Sequence, residues 1–532
     1  MLRIQDLLVT AEQMQQIEGH IFAAGMPVAA LMEKVSHRIV RWFTTHYGQL
    51  STVQNRLIGV IVGPGHNGGD ALVVARELHH AGYQVRIYQP LEKAKPLTAQ
   101  HAQYAKSIGI EFVSTPSALS DCGLLIDGLF GFGLDRPITG SLADDVDAIN
   151  RLPMPVYSID LPSGLHTDTG QVMGIALRAT RTACLGLWKR AFVKAEALPY
   201  LGISELIEFD IPLKNAVAVL GKQPAVQQLN SRQAIAQLPL NRAATAHKYT
   251  AGHLLLVAGS RQYAGAALLA GLGATASGVG MLTIAIPESI RLALLPQLPG
   301  ALLVGCPETP DGAIAHLPAS LDLSKYDAIA LGPGLTPTVS SLLDTALAVS
   351  TPLLLDADAL NLLAETSPIQ RLQNRSATTV LTPHTGEFKR LFPSIYERHS
   401  DRLPGEMAQQ AAQASNAIVL LKGPCSAIAT DQRLWFNPHS TPALARGGSG
   451  DVLTGLMGGL LASAARESNH LKEHLADTVA SAVWWHSQAG RFASSRRSLL
   501  GVDPTTLAQS LNPALKLAID QLNNSHKENL EE

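Results

Sequence analysis

The sequence predicts an α/β protein of two domains, each a mostly parallel sheet between layers of helices. Short runs of Leu, Ile and Val alternate with amphipathic stretches along most of the chain, the pattern of repeated strand–helix units. Many of these runs end in Gly, Asp, His or Lys, which marks one edge of each sheet as the working edge. Between Pro212 and Asn241 the pattern loosens into Gln, Ala, Asn and Pro with no glycine-ended strand, so a boundary is placed near residue 225. The expected division is 1–225, 226–510 and a C-terminal tail 511–532, in which Asn512-Pro513-Ala514 and a helical stretch precede a frayed end at Asn523 to Glu528.

Composition agrees with compact domains. The 532 residues are 46% hydrophobic and only 16% charged, which excludes a disordered chain. A net charge of −2, with scattered Lys and Arg, gives no footprint for nucleic acid or a membrane surface. Cys122, Cys184, Cys306 and Cys425 lie far apart without CxxC spacing, which speaks against a disulfide framework or zinc site and for a reducing cytoplasm. Met1 to Thr10 has no apolar core for a signal peptide, and no apolar run approaches the roughly 20 residues of a membrane helix. A homo-oligomer in the cytoplasm is expected.

Residues 11–46 read as two amphipathic helices broken at Gly25-Met26-Pro27. Leu57–Val62 is a buried strand leading into Gly63-Pro64-Gly65-His66-Asn67-Gly68-Gly69-Asp70, with a helix expected from Ala71 to Ala81 and a strand over Gln84–Tyr88. Strand, glycine loop, helix, strand is the βαβ unit of a doubly wound sheet. Two further strands end in Asp127 and Asp160, and ligands bind beyond the carboxyl ends of parallel strands, so Asn67, Asp127 and Asp160 are expected to converge. Three hard oxygen side chains together can hold a cation, although any one of them alone could as well cap a helix or close an Asx-turn.

GPGHNGGD, DGLFGFGLDRPITG and IDLPSGLHTDTG resemble the successive motifs of the NAD(P)H-hydrate epimerase family, over residues 1 to about 215. The resemblance implies a Rossmann-like fold that interconverts the epimers of hydrated nicotinamide nucleotides with help from potassium. It places His66, Asn67, Gly68, Gly69 and Asp70, with Gly131, Phe132, Gly133, Leu134, Asp135, Arg136 and Pro137, around the hydrate, Asp160 against the substrate, and Asn67, Asp127 and Ser163 around the potassium ion. His66 stands where the family often has asparagine, and Ala71 where glycine is common. Epimerising a hemiaminal carbon needs a hydroxyl to leave and return, which a positioned acid/base speeds, and Asp160 is the candidate.

In the second half a strand over His253–Ala258 is followed by a helix from Tyr263 to Ser277 rich in small residues, suited to close packing or to a flat ring. Further strands are expected at Met281–Ile286, Asp327–Leu331 before Gly332-Pro333-Gly334, Leu353–Leu355 before Asp356-Ala357-Asp358, Thr379–Leu381 before Thr382-Pro383-His384, and Ala417–Leu421 before Lys422-Gly423-Pro424-Cys425-Ser426. The stretch around Gly447-Gly448-Ser449-Gly450-Asp451 then runs into a helical stripe of Val452, Leu453, Leu456, Met457, Leu460 and Leu461. Glycines there form a turn whose N–H groups, at a helix start, receive an anion. A carboxylate beside an anion site makes sense if Asp451 takes a proton while the turn holds phosphate.

The order GPG, LDADALN, TPHTGE, LKG and GGSGD resembles the ribokinase-like hydrate dehydratase family, from about His247 to near Ala489. This resemblance implies phosphoryl transfer from a nucleotide, ADP in most bacterial members, to the hydrate's hydroxyl, followed by loss of phosphate. It assigns Lys422, Gly423, Pro424, Cys425, Ser426 and Gly450 to the adenine nucleotide, Asp451 to the base, and Ala266, Gly334 and His384 to the nicotinamide hydrate. A magnesium ion bridges the phosphates in this scheme, with Asp358, Asn361 and Glu387 as its partners or as helix caps. Arg446, Thr441 and Thr385 depart from the common threonine, asparagine and proline, and Arg446 either contacts phosphate or points outward.

Together the two resemblances imply a fused repair enzyme acting on hydrated NADH and NADPH. The alternatives are a ribokinase-like vitamin-alcohol kinase with a non-catalytic N-terminal nucleotide-binding module, and a first half that serves only as a scaffold. A plain dehydrogenase is disfavoured because the first loop lacks the ribose-binding acid at its usual later spacing.

Overall fold

The computed structural model describes residues 3–47, 57–336, 340–398, 404–468 and 472–531. They fall into two compact units, Met1–Pro224 and Ala225–Glu532.

The first unit is built on seven parallel strands: β1 (Leu57–Val62), β2 (Gln84–Tyr88), β3 (Glu111–Val113), β4 (Leu124–Gly128), β5 (Val156–Ile159), β6 (Arg181–Leu185) and β7 (Ile203–Ile207). Their order, β3-β2-β1-β4-β5-β6-β7, reverses direction between β1 and β4. A crevice opens at such a switch point. Helices α1 (Ala11–Ala23) and α2 (Val28–Tyr47) flank Gly25-Met26-Pro27. Helix α1 starts on a capping box, in which Thr10 Oγ1 accepts from Gln13 N at 3.1 Å and Gln13 Oε1 accepts from Thr10 N at 3.0 Å. A short parallel pair, Leu8–Val9 with Trp188–Lys189, lies outside the main sheet.

Helix α3 spans His66–His80, five residues earlier at its start than the sequence pattern suggests. Its two adjacent glycines read as a loop signal, yet they serve packing. A methyl on Gly68 would lie 2.0 Å from Gly63 O, and one on Gly69 would lie 2.6 Å from Met32 Cε. Glycine here admits close backbone approach inside a helix, at a propensity cost of about 1 kcal/mol each.

The second unit carries ten strands: β8 (Val226–Gln228), β9 (His253–Val257), β10 (Met281–Pro287), β11 (Leu302–Cys306), β12 (Ala328–Leu331), β13 (Leu353–Leu355), β14 (Thr379–Leu381), β15 (Ile418–Leu421), β16 (Ser426–Ala429) and β17 (Leu434–Asn437). The order is β8-β17-β16-β15-β14-β13-β12-β9-β10-β11, and only the β15–β16 and β16–β17 pairs are antiparallel. Helix α4 (Ala264–Ala276) crosses α5 (Ser449–Ser468) with backbones almost touching. A methyl on Gly455 would sit 1.8 Å from Ala270 O, and one on Gly273 would sit 2.1 Å from Val452 O. The small-residue face of α4 is thus a helix–helix contact.

The helical stretch expected in the C-terminal tail belongs to a longer helix that starts ahead of it. Helix α6 (Lys472–Arg497) is followed by α7 (Pro504–Glu531), whose Leu511, Ala514, Leu515 and Ala518 are buried in the main core of this unit. Trp485 Nε1 of α6 donates to Leu511 O at 2.7 Å. These four apolar positions recur at helical spacing, which is the face the helix buries.

Candidate functional sites

In the first unit a cavity of about 1040 Å³ opens beyond the carboxyl ends of β1 and β4. Its lining includes His66, Asn67, Asp70, Gly131 to Pro137 and Asp160, whereas Gly68 and Gly69 are turned into the packing described above. Asp160 ends β5 in a left-handed conformation, φ 67°, which Asp tolerates better than most residues. That bend fixes both its oxygens. Phe132 N donates to Oδ2 at 2.9 Å, while Lys189 Nζ at 2.5 Å and Leu185 N at 3.3 Å donate to Oδ1.

Lys189 is the residue that sequence reasoning missed. Its side chain is fully buried, and Nζ also donates to Leu185 O at 2.5 Å. Burial alone pulls its pKa down, but the negative charge of Asp160 outweighs this and holds the ammonium above its ordinary range. A lysine inside the apolar run Cys184 to Val193 was the available signal, since lysines are buried only when paired. Two more acids belong to this electrostatic group. Burial, with Asp160 and Glu18 adding repulsion, drives Asp70 well above the carboxylate range. Glu18 of α1, also overlooked in the sequence, lines the cavity, and burial pushes it up to about 7 against the pull of Lys189.

Asp127 stands on β4, completely buried, with four donors: Leu129 N at 3.1 Å and Ser163 Oγ at 2.6 Å to Oδ1, Ser158 Oγ at 2.8 Å and Ser163 N at 2.9 Å to Oδ2. Burial raises its pKa, and no ion pair reaches it among the described residues. Ser163 Oγ accepts in turn from Phe130 N at 2.8 Å. Asn67 stands beside Gly131, and its Nδ2 is buried without a partner among the described residues. Of the three side chains expected to converge, Asn67 and Asp160 flank Gly131, and Asp127 is held in its own hydrogen-bond cage.

In the second unit, α5 begins at Ser449 with Asp451 in its first turn. Lys422, at the end of β15, pairs with Asp356 Oδ1 at 2.7 Å, and Thr454 Oγ1 donates to Asp356 Oδ2 at 2.6 Å. A methyl on Gly450 would stand 3.7 Å from Lys422 Nζ and 3.9 Å from Asp356 Oδ2, so the glycine turn lies against this pair. Burial raises Asp356, but Lys422 overrides it and keeps the carboxylate below its usual range. Among the described residues no ion pair holds Asp451, and burial together with repulsion from Asp356 raises it to about 6. That is a carboxyl poised to accept a proton near neutral pH.

His486 of α6 supports the turn from beneath. Its Nε2 lies 3.0 Å from Ser449 O, which only accepts, so Nε2 carries the hydrogen and Ser449 Oγ lies 3.4 Å away. Burial pushes this imidazole down to about 4, so it is neutral at pH 7. Residues Lys422 to Cys425 form the loop between antiparallel β15 and β16, closed by Gly423 N donating to Ser426 Oγ at 3.3 Å. His384 bridges to Lys422, and Gly334, at φ 66°, packs against Tyr263 and Ala266.

The three side chains named as partners of magnesium all make other hydrogen bonds. Glu387 Oε2 accepts from His384 N at 2.8 Å in a capping box, Asn361 Oδ1 accepts from Arg390 at 3.1 Å, and Asp358 Oδ2 accepts from Thr336 N at 3.0 Å. Arg446 donates to Leu500 O at 2.6 Å and points outward.

Against this geometry, the chain matches the family model "NAD(P)H-hydrate dehydratase" over residues 254–513 and the model "YjeF-related protein N-terminus" over residues 28–191. A curated protein of Synechocystis sp., named a bifunctional NAD(P)H-hydrate repair enzyme, is 54% identical over 96% of this chain and 95% of its own length. The chain belongs to the bifunctional NAD(P)H-hydrate repair enzymes. A second member, from Thermosynechococcus vestitus, is 51% identical over 96% of this chain and 98% of its own. Among solved structures, the ADP/ATP-dependent NAD(P)H-hydrate dehydratase of Bacillus subtilis matches with 34% identity, covering 55% of this chain and 98% of that one at a TM-score of 0.47. Because the repair-enzyme relatives match across both halves, the reading as a vitamin-alcohol kinase with an inert N-terminal module gives way.

Proposed function

We propose that the first unit interconverts the epimers of hydrated NADH and NADPH, and that the second dehydrates the S epimer with ADP, leaving AMP and phosphate. What carries this reading is that a member of the repair-enzyme family holds a separate lysine–carboxylate site in each unit. In the first, Asp160, His66, Asn67, Asp70 and Gly131 to Pro137 form the wall against which the hydrate lies. Asp160 orients the substrate, since both its oxygens already accept hydrogen bonds and Lys189 Nζ sits in direct contact with one of them.

In the second, Asp451 accepts the proton of the substrate hydroxyl while Lys422 and the turn ending at Gly450 receive the phosphates. His486 keeps the turn's carbonyl engaged, which leaves neighbouring N–H groups free to point at the anion. Ala266, Gly334 and His384 would face the nicotinamide, and Gly423 to Ser426 the adenine nucleotide.

Asn67, Asp127 and Ser163 suit a potassium ion. The partnerless amide of Asn67, turned about its axis, presents an oxygen, and buried Asp127 lacks a positive neighbour among the described residues. The ion would supply that charge and an anchor for the substrate's oxygens. No group of three His, Cys, Asp or Glu side chains is poised around a metal among the described residues, so magnesium would arrive on the nucleotide, bound chiefly by phosphate and water. A homo-oligomer in the cytoplasm completes the proposal, consistent with four buried free cysteines.

The test is to incubate the protein with an epimer mixture of hydrated NADH, magnesium and ADP and to follow the reduced-nicotinamide absorbance. Full recovery, faster than spontaneous epimerisation, is expected. Recovery halting at one epimer's share would overturn the first assignment, and no recovery with ADP or ATP would overturn the second.

A further inference from the structure

Epimerisation needs a group that is an acid in one step and a base in the next, and Asp160 is poorly placed for both. Its oxygens already accept from Phe132 N, Leu185 N and Lys189 Nζ, and Lys189 is itself tied to Leu185 O. The cavity holds one carboxyl of a different kind. Glu18 stands on α1 between Ile17 and Ile21, two residues buried in the core, so its side chain emerges at the border of the apolar face, where the helix meets the cavity. Among the described residues no hydrogen bond or ion pair engages it. Helix α1 is held at its start by the capping box and by Ala11 N donating to Asp168 Oδ1 at 2.8 Å, so the position of Glu18 is fixed by backbone.

Resting on the reading of this cavity as the epimerase site, we infer that Glu18 is a catalytic residue, the carboxyl that exchanges a proton with the hydroxyl at the epimerising carbon. In the forward step Glu18 gives its proton to the hydroxyl oxygen, the C–O bond breaks with its electron pair leaving on water, and the ring nitrogen lone pair closes a C=N bond. Water then adds to the opposite face, the C=N pair returns to nitrogen, and the added water's surplus proton goes back to Glu18. No oxidant or reductant is needed, and the enzyme ends as it began.

The charges facing Glu18 favour this duty. Lys189 and Lys95 pull its proton away, and Asp160 and burial hold it on, which leaves the carboxyl balanced at about 7. Asp70, His66, Asp135 and Arg136 share the cavity, and Lys214 on the helix Leu213–Leu220 packed against α1 is exposed. Asp70 is driven well above the carboxylate range and so holds its proton, and burial with Lys95 nearby lowers His66.

The experiment is the pH profile of epimerisation, kcat/KM from pH 5 to 9, for the full chain and for Glu18→Gln and Glu18→Asp, with dehydration of the pure S epimer measured alongside. The full chain is expected to show a limb near pH 7. Glu18→Gln is expected to lose at least about 10²-fold in epimerisation and to lose that limb. Glu18→Asp is expected to keep the limb at reduced rate, and dehydration is expected to stay unchanged in both. A Glu18→Gln protein with the parent's rate and limb would overturn the role of Glu18 while leaving the epimerase reading intact. Loss of epimerisation in Glu18→Asp equal to that in Glu18→Gln would also overturn it, assigning Glu18 to packing. Absence of enzymatic epimerisation in the unmodified protein would instead overturn the reading on which the inference rests.

Discussion

Each unit buries a lysine against a carboxylate at the edge of its sheet, but the two pairs differ in how closed they are. Lys189 and Asp160 have side chains 0% and 4% exposed, whereas Lys422 is 23% exposed over an Asp356 at 3%. The first lysine spends its donors inside the protein, on Asp160 and Leu185 O. The second keeps a face toward the glycine turn, and its carboxylate has Thr454 as a second support. A sealed pair shapes a cavity wall; a half-open pair offers its cation to an incoming anion. The same two residue types therefore serve positioning in one unit and charge recognition in the other.

The largest effect that would sharpen this contrast is on chemistry in the second unit. Asp451→Asn is expected to lower the dehydration rate by about 10²–10⁴-fold while epimerisation is untouched, measured by single-turnover absorbance recovery. Next is Lys189→Met, which strands Asp160 as an unpaired buried charge. A loss of about 3–5 kcal/mol, seen by denaturant titration with hydrogen exchange of first-unit peptides, is expected. Lys422→Met should cost less stability, because Thr454 still donates to Asp356 and the partly exposed lysine's place lies open to water, but should raise the KM for ADP more than it lowers kcat. Equal destabilisation by the two lysine variants would break the comparison.

The pH dependence follows from Asp451. Its folded pKa of about 6 lies above the ordinary carboxylate value, so the folded state holds a proton that the unfolded state has released. Stability of the second unit should fall as pH rises toward 6, with the penalty complete above it, while dehydration should rise through the same window. Asp451→Asn should thus melt higher than the parent at pH 7. The smallest effect is expected for Arg446→Thr, within about 0.5 kcal/mol in stability and with little change in the KM for ADP, since Arg446 faces Leu500 O.

The sheets were legible in the sequence because strands buried on both faces read as unbroken apolar runs, as at Leu57–Val62 and Leu353–Leu355. Motif residues at strand ends were legible for the same reason, since topology brings those ends to one edge. What escaped notice depended on packing. Gly68 and Gly69 look like a loop until Gly63 O and Met32 are seen against them. Lys189, Glu18 and His486 belong to no glycine motif, and each matters through a neighbour distant in sequence: Asp160, Lys189 and Ser449. Local pattern cannot report such partners.

The helix Pro504–Glu531 bears on how the chain is made. Its Leu507, Leu511 and Leu515 fill the same core as α4, α5 and α6, so the second unit stays unfinished on the ribosome until residues beyond 504 have emerged. The first unit has its own sheet and core and meets no such wait. Synthesis from the N-terminus thus completes the epimerase-like half while its neighbour still exposes apolar surface, and chaperones should engage nascent chains chiefly through that second half.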